Sequence, residues 1–400
     1  MSKNIIAGMG ALLLDVGFEC GTVKNSNKVK GLCKLKKLLA EKIHGKKLDN
    51  FKKPAEAEQI LRVDFSNAED KKIAELGKLE FELIDGPTKS AGGGACNALS
   101  GIKKMLSYEP DLSCQILAKI GEKNGAPDND GKELLNFLGK NNIDTNLIRY
   151  DKINATGRSV VVSFAYNNKR NVTYLIYRGA ARELEPADLV TLNNADIIGG
   201  IVANTNNPQL TLDGARILSS DGRRAVYISS ALDMEFIYKE LQAGNKSLLD
   251  GLENVILTVN EHEFDKLADN ATKQKVVESF HYAVITKGTN GIDVYNKNFA
   301  APTPYPIAPN RPTLQVPANQ INPNGAGDAL SACIASYYVP TGTFNADTIE
   351  VALCVAACVC TRTSTTAGVP TFRSASDGAD FAREWRDHSK PFDFANWGIK

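Results

Sequence analysis

No run of about 18 or more apolar residues occurs in this 400-residue chain, so no membrane-spanning helix is expected. The longest apolar stretch, Val351 to Cys360, has the length of a buried core helix. The opening residues MSKNIIAGMG lack a cationic segment leading into a long apolar one. No secretory signal is expected on that ground, and the reading is a cytoplasmic protein. An excess of charge of one sign is also missing, because Lys plus Arg number 47 and Asp plus Glu 46. A balanced chain projects no long-range basic field, which argues against nucleic acid or a membrane surface as partner. The eight cysteines, at 20, 33, 96, 114, 333, 354, 358 and 360, contain no CxxC pair and no nearby histidines that could complete a zinc site. Cys354, Cys358 and Cys360 stand among Ala and Val at helical spacing and read as reduced core residues. Two nucleotide-binding fingerprints are missing as well. GAPDNDGKE (125–133) has the wrong glycine spacing for a P-loop and places Glu133 where a hydroxyl is needed. GMGALL (8–13) has Leu13 where a dinucleotide-binding turn has its third glycine.

What is present is 43% hydrophobic residues, enough to bury a large core, and a repeated pattern of short β-branched runs bounded by Gly, Asn or Asp. NIIAG (4–8), CQILAKIG (114–121), DIIGGIV (196–202), RRAVYISS (223–230), NVILTVN (254–260) and YAVITKG (282–288) read as strands. Helix-length segments at 131–140, 207–219 and 261–280 lie between them. This alternation predicts a three-layer α/β/α sandwich with a mostly parallel central sheet, whose ligands sit beyond the carboxyl ends of the strands. RSVVVSFAYNNKRNVTYLIYRGA (158–180) differs in texture: two alternating runs flank Asn167 and Asn168, as in an antiparallel hairpin. The hairpin reads as part of a small β lid, with other strands from 11–20 and 78–90. Residues 23–78 form a Lys-rich insertion with two amphipathic helical patterns, around 32–43 and 68–79. PTPYPIAPNRP (302–312) reads as a proline-rich connector. The chain is expected to be one domain spanning 1–400.

The chemistry concentrates in QVPANQINPNGAGDALSACIASYY (315–338). Gly325, Ala326 and Gly327 open a helix, where small residues let backbone amides converge and the helix dipole adds positive potential, so an anion is the expected guest. Asp328, in the first turn, is either a plain helix cap or a catalytic carboxylate. A second glycine cluster, AGGGACNALSG (91–101), precedes another helical segment.

These two segments resemble the signatures of the PfkB (ribokinase-like) kinases, a C-terminal Gly-Ala-Gly-Asp turn and an upstream Gly-Gly-x-x-x-Asn element. GMGALLLD (8–15) resembles the family's opening strand motif, NEHE (260–263) its Asn-x-x-Glu motif, and TKGTNG (286–291) its nucleotide-binding turn. PNGAGDA, TGRS (156–159) and ISSALDMEFI (228–237) are closest to the adenosine-kinase-like branch. The resemblance implies ATP-dependent phosphorylation of a small sugar or nucleoside hydroxyl. Asp328 would be the general base, and Gly325, Ala326 and Gly327 the anion hole. Asp15, Gly93 and Asn97 would grip substrate hydroxyls, and Asn260, Thr286, Gly288 and Gly291 would border ATP. Glu263 would act on Mg²⁺ through water. A homodimer through the lid is implied by the same analogy. Two departures stand out: Asn322 replaces the usual aspartate and should weaken a monovalent-cation site, and Ala11 replaces an asparagine. They favour the alternative of a catalytically reduced sugar- or nucleotide-binding module, whereas Asp328 with its intact glycine turn favours the kinase.

Overall fold

Strands buried on both faces need apolar side chains at nearly every position, and the β-branched runs supply them. The computed structural model describes residues 4–22, 63–65, 88–166, 169–306, 325–361, 368–387, 389 and 392–399. The first half runs β1 (Asn4–Met9), β2 (Leu13–Thr22), β3 (Val63–Phe65), β4 (Thr88–Gly92), α1 (Gly94–Met105), β5 (Leu112–Leu117) and β6 (Lys119–Lys123). It continues with β7 (Ala126–Pro127), α2 (Asn129–Lys140), β8 (Ile143–Asp144), β9 (Arg149–Asp151), β10 (Arg158–Tyr166) and β11 (Lys169–Tyr177). The second half alternates: β12 (Ile197–Ala203), α3 (Pro208–Ser219), β13 (Arg224–Ile228), α4 (Ala231–Gln242), β14 (Val255–Asn260), α5 (Glu261–Phe264), α6 (Asn270–Ser279) and β15 (Tyr282–Thr286). β16 (Ile292–Tyr295), β17 (Thr303–Tyr305), α7 (Ala326–Thr341), α8 (Ala346–Cys360) and α9 (Asp377–Arg386) complete it.

Nine strands form the central sheet in the order β17-β16-β15-β14-β13-β12-β1-β5-β8. It is parallel from β8 through β15 and antiparallel only at the β16 and β17 edge. Alternate residues of β1 feed two separate cores. Ile6 packs with Leu99, Leu330 and Ile334 from α1 and α7, while Ile5, Ala7 and Met9 pack with Leu210, Ile237 and Val276 from α3, α4 and α6. The predicted three-layer α/β/α arrangement with a mostly parallel sheet is thus the observed one. Cys96, Cys114, Cys333, Cys354 and Cys358 are buried as core residues, and Cys360 is partly buried.

A second sheet of five strands has the order β3-β11-β10-β2-β4. β10 and β11 pair antiparallel from Arg158 opposite Tyr177 to Tyr166 opposite Lys169, the expected hairpin, although Asn167 and Asn168 themselves lie outside the described residues. β2 begins at Leu13, so the GMGALLLD motif spans two strands: β1 ends at Met9, and Asp15, within the run 11–20 read as a strand of the small sheet, lies inside that sheet. The helical patterns at 32–43 and 68–79, the run 78–87 and Asn322 fall outside the described residues. Within the insertion, Val63–Phe65 is a strand parallel to β11 rather than helix.

Three other expectations are corrected. CQILAKIG is not one strand: the chain turns at Ala118, and β6 leaves the central sheet to pair with β7 and β9. The segment 261–280 is two helices, because the Asp269 side chain accepts the Thr272 N–H and starts a new one. Within the proline-rich segment, Thr303–Tyr305 is an edge strand, the place where a sheet tolerates proline.

Candidate functional site

The parallel strands end on one edge of the central sheet, and the predicted site residues gather there and on the adjoining part of the small sheet. Helix α7 begins at Gly325, whose φ of 82° is a left-handed conformation that glycine adopts without penalty. The helix's own ladder starts with the Ala329 N–H donating to the Gly325 carbonyl at 2.9 Å. The amides of Ala326, Gly327 and Asp328 are therefore outside it, the usual orphans of a helix N-terminus. Among the described residues, a methyl group on Gly327 would meet nothing within 4 Å, so there is room at this turn. The turn is pinned from below: Ser331 Oγ donates to the Gly327 carbonyl at 2.9 Å and lies 2.8 Å from Thr258 Oγ1 on β14.

Asp328 does not cap its helix. No side-chain cap is made at that N-terminus, and Asp328 Oδ2 instead accepts a hydrogen bond from Asn97 Nδ2 at 2.9 Å. Asn97 lies in the first turn of α1. There Gly93 has φ 99° and stands so close to the Ala11 carbonyl that a methyl group would be 2.0 Å from its oxygen. A methyl group on Gly94 would stand 3.4 Å from Asp328 Oδ1. The glycine cluster thus lets the N-terminus of α1 approach the carboxylate at the N-terminus of α7.

Asp15 joins the same group. Its carboxylate lies over Gly92, where a methyl group would be 2.0 Å from Oδ2. Its carboxyl is raised to about 7: desolvation is the largest cause, the neighbouring Ser159 hydroxyl opposes it, and the charge of Asp328 adds to the rise. Asp328 is raised to about 6 by desolvation, with the Asn97 amide opposing. Asp15, Gly93, Asn97 and Asp328, 313 residues apart at the extremes (328 − 15), are brought into one cluster.

A second group lies at the ends of β14 and β15, where Asn260 and Thr286 are register partners. Asn260 Oδ1 accepts the Glu263 N–H at 2.8 Å, and Glu263 Oε2 accepts the Asn260 N–H at 3.4 Å, a reciprocal capping box on α5. Beyond Thr286, Gly288 (φ 55°) and Gly291 (φ 84°) form a tight turn closed by the Lys287 N–H to the Gly291 carbonyl at 2.8 Å, and Lys287 pairs with Asp293. A methyl group on Gly288 would meet nothing within 4 Å. Among the described residues, no group of three or more His, Cys, Asp or Glu side chains could hold a metal.

The sequence reading missed the loop after β12. The Asn204 carbonyl accepts the Ala11 N–H at 3.1 Å, and Asn204 Oδ1 accepts the Asn206 N–H at 2.7 Å. Asn206 has φ 71°, and its side-chain nitrogen and oxygen are buried without a hydrogen-bond partner among the described residues. The signal was available in NTNNP (204–208), an asparagine-rich turn at the carboxyl end of a strand.

The profile of the pfkB family of carbohydrate kinases matches residues 67–372. No curated protein sequence matches the chain. Among solved structures, a probable sugar kinase from Rhizobium etli is 15% identical with a TM-score of 0.65, covering 95% of this chain and 100% of its own. Adenosine kinase from Schistosoma mansoni, in complex with 2-fluoroadenosine, is 17% identical with a TM-score of 0.61, covering 91% of this chain and 97% of its own. Arabidopsis thaliana ribokinase, complexed with ribose and ATP, is 14% identical with a TM-score of 0.58, covering 97% and 100%. At these identities the structures establish the shared fold, and the profile match extends over most of the chain. The chain belongs to the pfkB family of carbohydrate kinases.

Proposed function

We propose that the chain is an ATP-dependent kinase that transfers the γ-phosphoryl group to a hydroxyl of a small sugar or nucleoside. The observation that carries this reading is the Asp328 carboxylate: it is bound by Asn97, unused as a cap, and set beside helix amides at a turn where there is room. Asp328 takes the proton of the acceptor hydroxyl as that oxygen bonds to the γ-phosphorus and the bond to the ADP oxygen breaks. The free amides at residues 326–328 stabilise the charge spread over the phosphoryl oxygens. Asp15 and Asn97, beside Asp328, orient the acceptor. Thr286, Gly288 and Gly291 border the nucleotide, with room at Gly288 for its approach.

Magnesium fits this site without a dedicated cage, since Mg²⁺ keeps much of its water and needs few protein oxygens. Asn260 and Glu263, at the exposed end of β14, would hold it through water, and the ion would neutralise charge on the phosphates. The five-stranded sheet, which carries Asp15, would serve as the lid that excludes water.

The test is ADP release by the purified chain with ATP, Mg²⁺ and a panel of sugars and nucleosides. Acceptor-dependent turnover that is lost in Asp328→Asn is the expected result. Binding of acceptors without any turnover would support the binding-module alternative instead.

A further inference from the structure

The TGRS segment takes no part in the reaction above, yet each of its residues is tied down. The Thr156 N–H donates to Asp128 Oδ2 at 2.8 Å and its hydroxyl to Asp128 Oδ1 at 2.6 Å. The Gly157 carbonyl accepts the Leu14 N–H at 3.0 Å. Arg158 forks onto Asp130, with Nε to Oδ2 at 2.9 Å and Nη2 to Oδ1 at 2.6 Å. Asp128 is the N-cap of α2 and Asp130 lies in its first turn, so one helix end carries the segment.

The next residue, Ser159, is 3% exposed and directly opposite Asp15 in the ladder of β10 and β2. Sharing a face with Asp15, its hydroxyl favours the charged form of that carboxylate. On the other flank the carboxylate is closed in by Gly92, and Ser90 of β4 is its register partner. The titratable groups that face Asp15 are Asp328 from α7 and the Cys96 thiol from α1, which burial pushes up to about 12 and so keeps neutral. Asp328 opposes a charge on Asp15. Ser159 favours one.

We propose that Ser159 is a positioning residue for acceptor binding, its hydroxyl holding the Asp15 carboxylate oriented and ionised toward the acceptor's hydroxyl groups. The acceptor part of this rests on the kinase reading, but the hold on Asp15 does not. The anchoring of residues 156–158 to α2 gives the hydroxyl its fixed place.

The experiment compares Ser159→Ala and Ser159→Thr with the wild type, using whichever acceptor gives turnover. Losing a hydrogen bond to a charged group should raise the acceptor KM about tenfold. The turnover number at saturation and the ATP KM should stay within about twofold, since a KM-only change marks lost uniform binding. The acidic limb of kcat/KM should move up by about one pH unit, and Ser159→Thr should restore it. A purely structural serine would instead lower the melting temperature and disturb both KM values together. In parallel, ¹³Cγ-aspartate NMR, with the Asp15 signal assigned through Asp15→Asn, reads the titration of that carboxyl directly. An upward midpoint shift in Ser159→Ala is expected. If no acceptor is turned over by the wild type, the kinase reading fails, while the midpoint still decides the Ser159 assignment. An unmoved midpoint, or an unmoved acceptor KM in an active enzyme, overturns the proposal.

Discussion

Asn97 Nδ2 donates to Asp328 Oδ2 at 2.9 Å across 231 residues of sequence, joining the first turns of two helices. The other amide atom, Asn97 Oδ1, is buried with no hydrogen-bond partner among the described residues. Donation to the ionised carboxylate favours the charged form, so the bond holds Asp328 below the value that desolvation alone would set. Replacing Asn97 with Ala should therefore move the acidic limb of the pH–rate profile upward by about one unit, lowering the turnover number about twofold at pH 7 and about tenfold at pH 5. A full profile from pH 5 to 9 checks it.

Asp328→Asn keeps shape while removing basicity. Turnover should fall by about 10²-fold or more, and ATP binding, measured by calorimetry, should survive. Were Asp328 merely a cap, asparagine would replace it almost silently. Its carboxylate faces Asn97 and not its own helix amides, so a silent result would contradict the observed geometry.

The same two carboxyls make the fold pH-sensitive. Asp15 titrates near 7 and Asp328 near 6 in the folded chain, against 3.8 for an ordinary aspartate. Between about pH 4 and 7 the folded state therefore binds more protons than the unfolded state, and stability falls as pH rises through that window. Below it both states are protonated and the penalty vanishes; above it the penalty is complete. Asp15→Asn should melt a few degrees higher than wild type at pH 8 and at the same temperature at pH 4. Melting curves at the two pH values show whether the sign holds.

Two glycines of similar sequence context should behave oppositely. Gly93→Ala forces a side chain into φ 99° and onto the Ala11 carbonyl, and should cost about 2 kcal/mol or more of stability, seen as a lowered denaturant midpoint. Gly327→Ala meets no neighbouring atom, so the fold should tolerate it. Its methyl group would instead enter the space proposed above for the phosphates. The ATP KM should rise with the melting temperature unchanged.

The strand and helix order of the central sheet was legible because β-branched runs and glycine turns recur at the spacing of βαβ units, and because doubly buried strands leave little choice of side chain. The two glycine clusters were legible for a local reason: backbone approach and left-handed φ values demand glycine wherever they occur. Hence Gly93 and Gly325 could be singled out before any coordinates. Other features depended on long-range partners. That Ser159 faces Asp15, and that Asn97 reaches Asp328, follow from strand register and helix placement, which no local pattern encodes. Nor could sequence say which groups the Asp328 carboxylate would meet. The tertiary structure turned it away from capping and onto Asn97, and joined Asn260 and Glu263 in a capping box at the end of β14. The physical reason is common to all of these: hydrogen-bond choice and carboxyl desolvation are set by which distant groups the fold brings within about 3 Å.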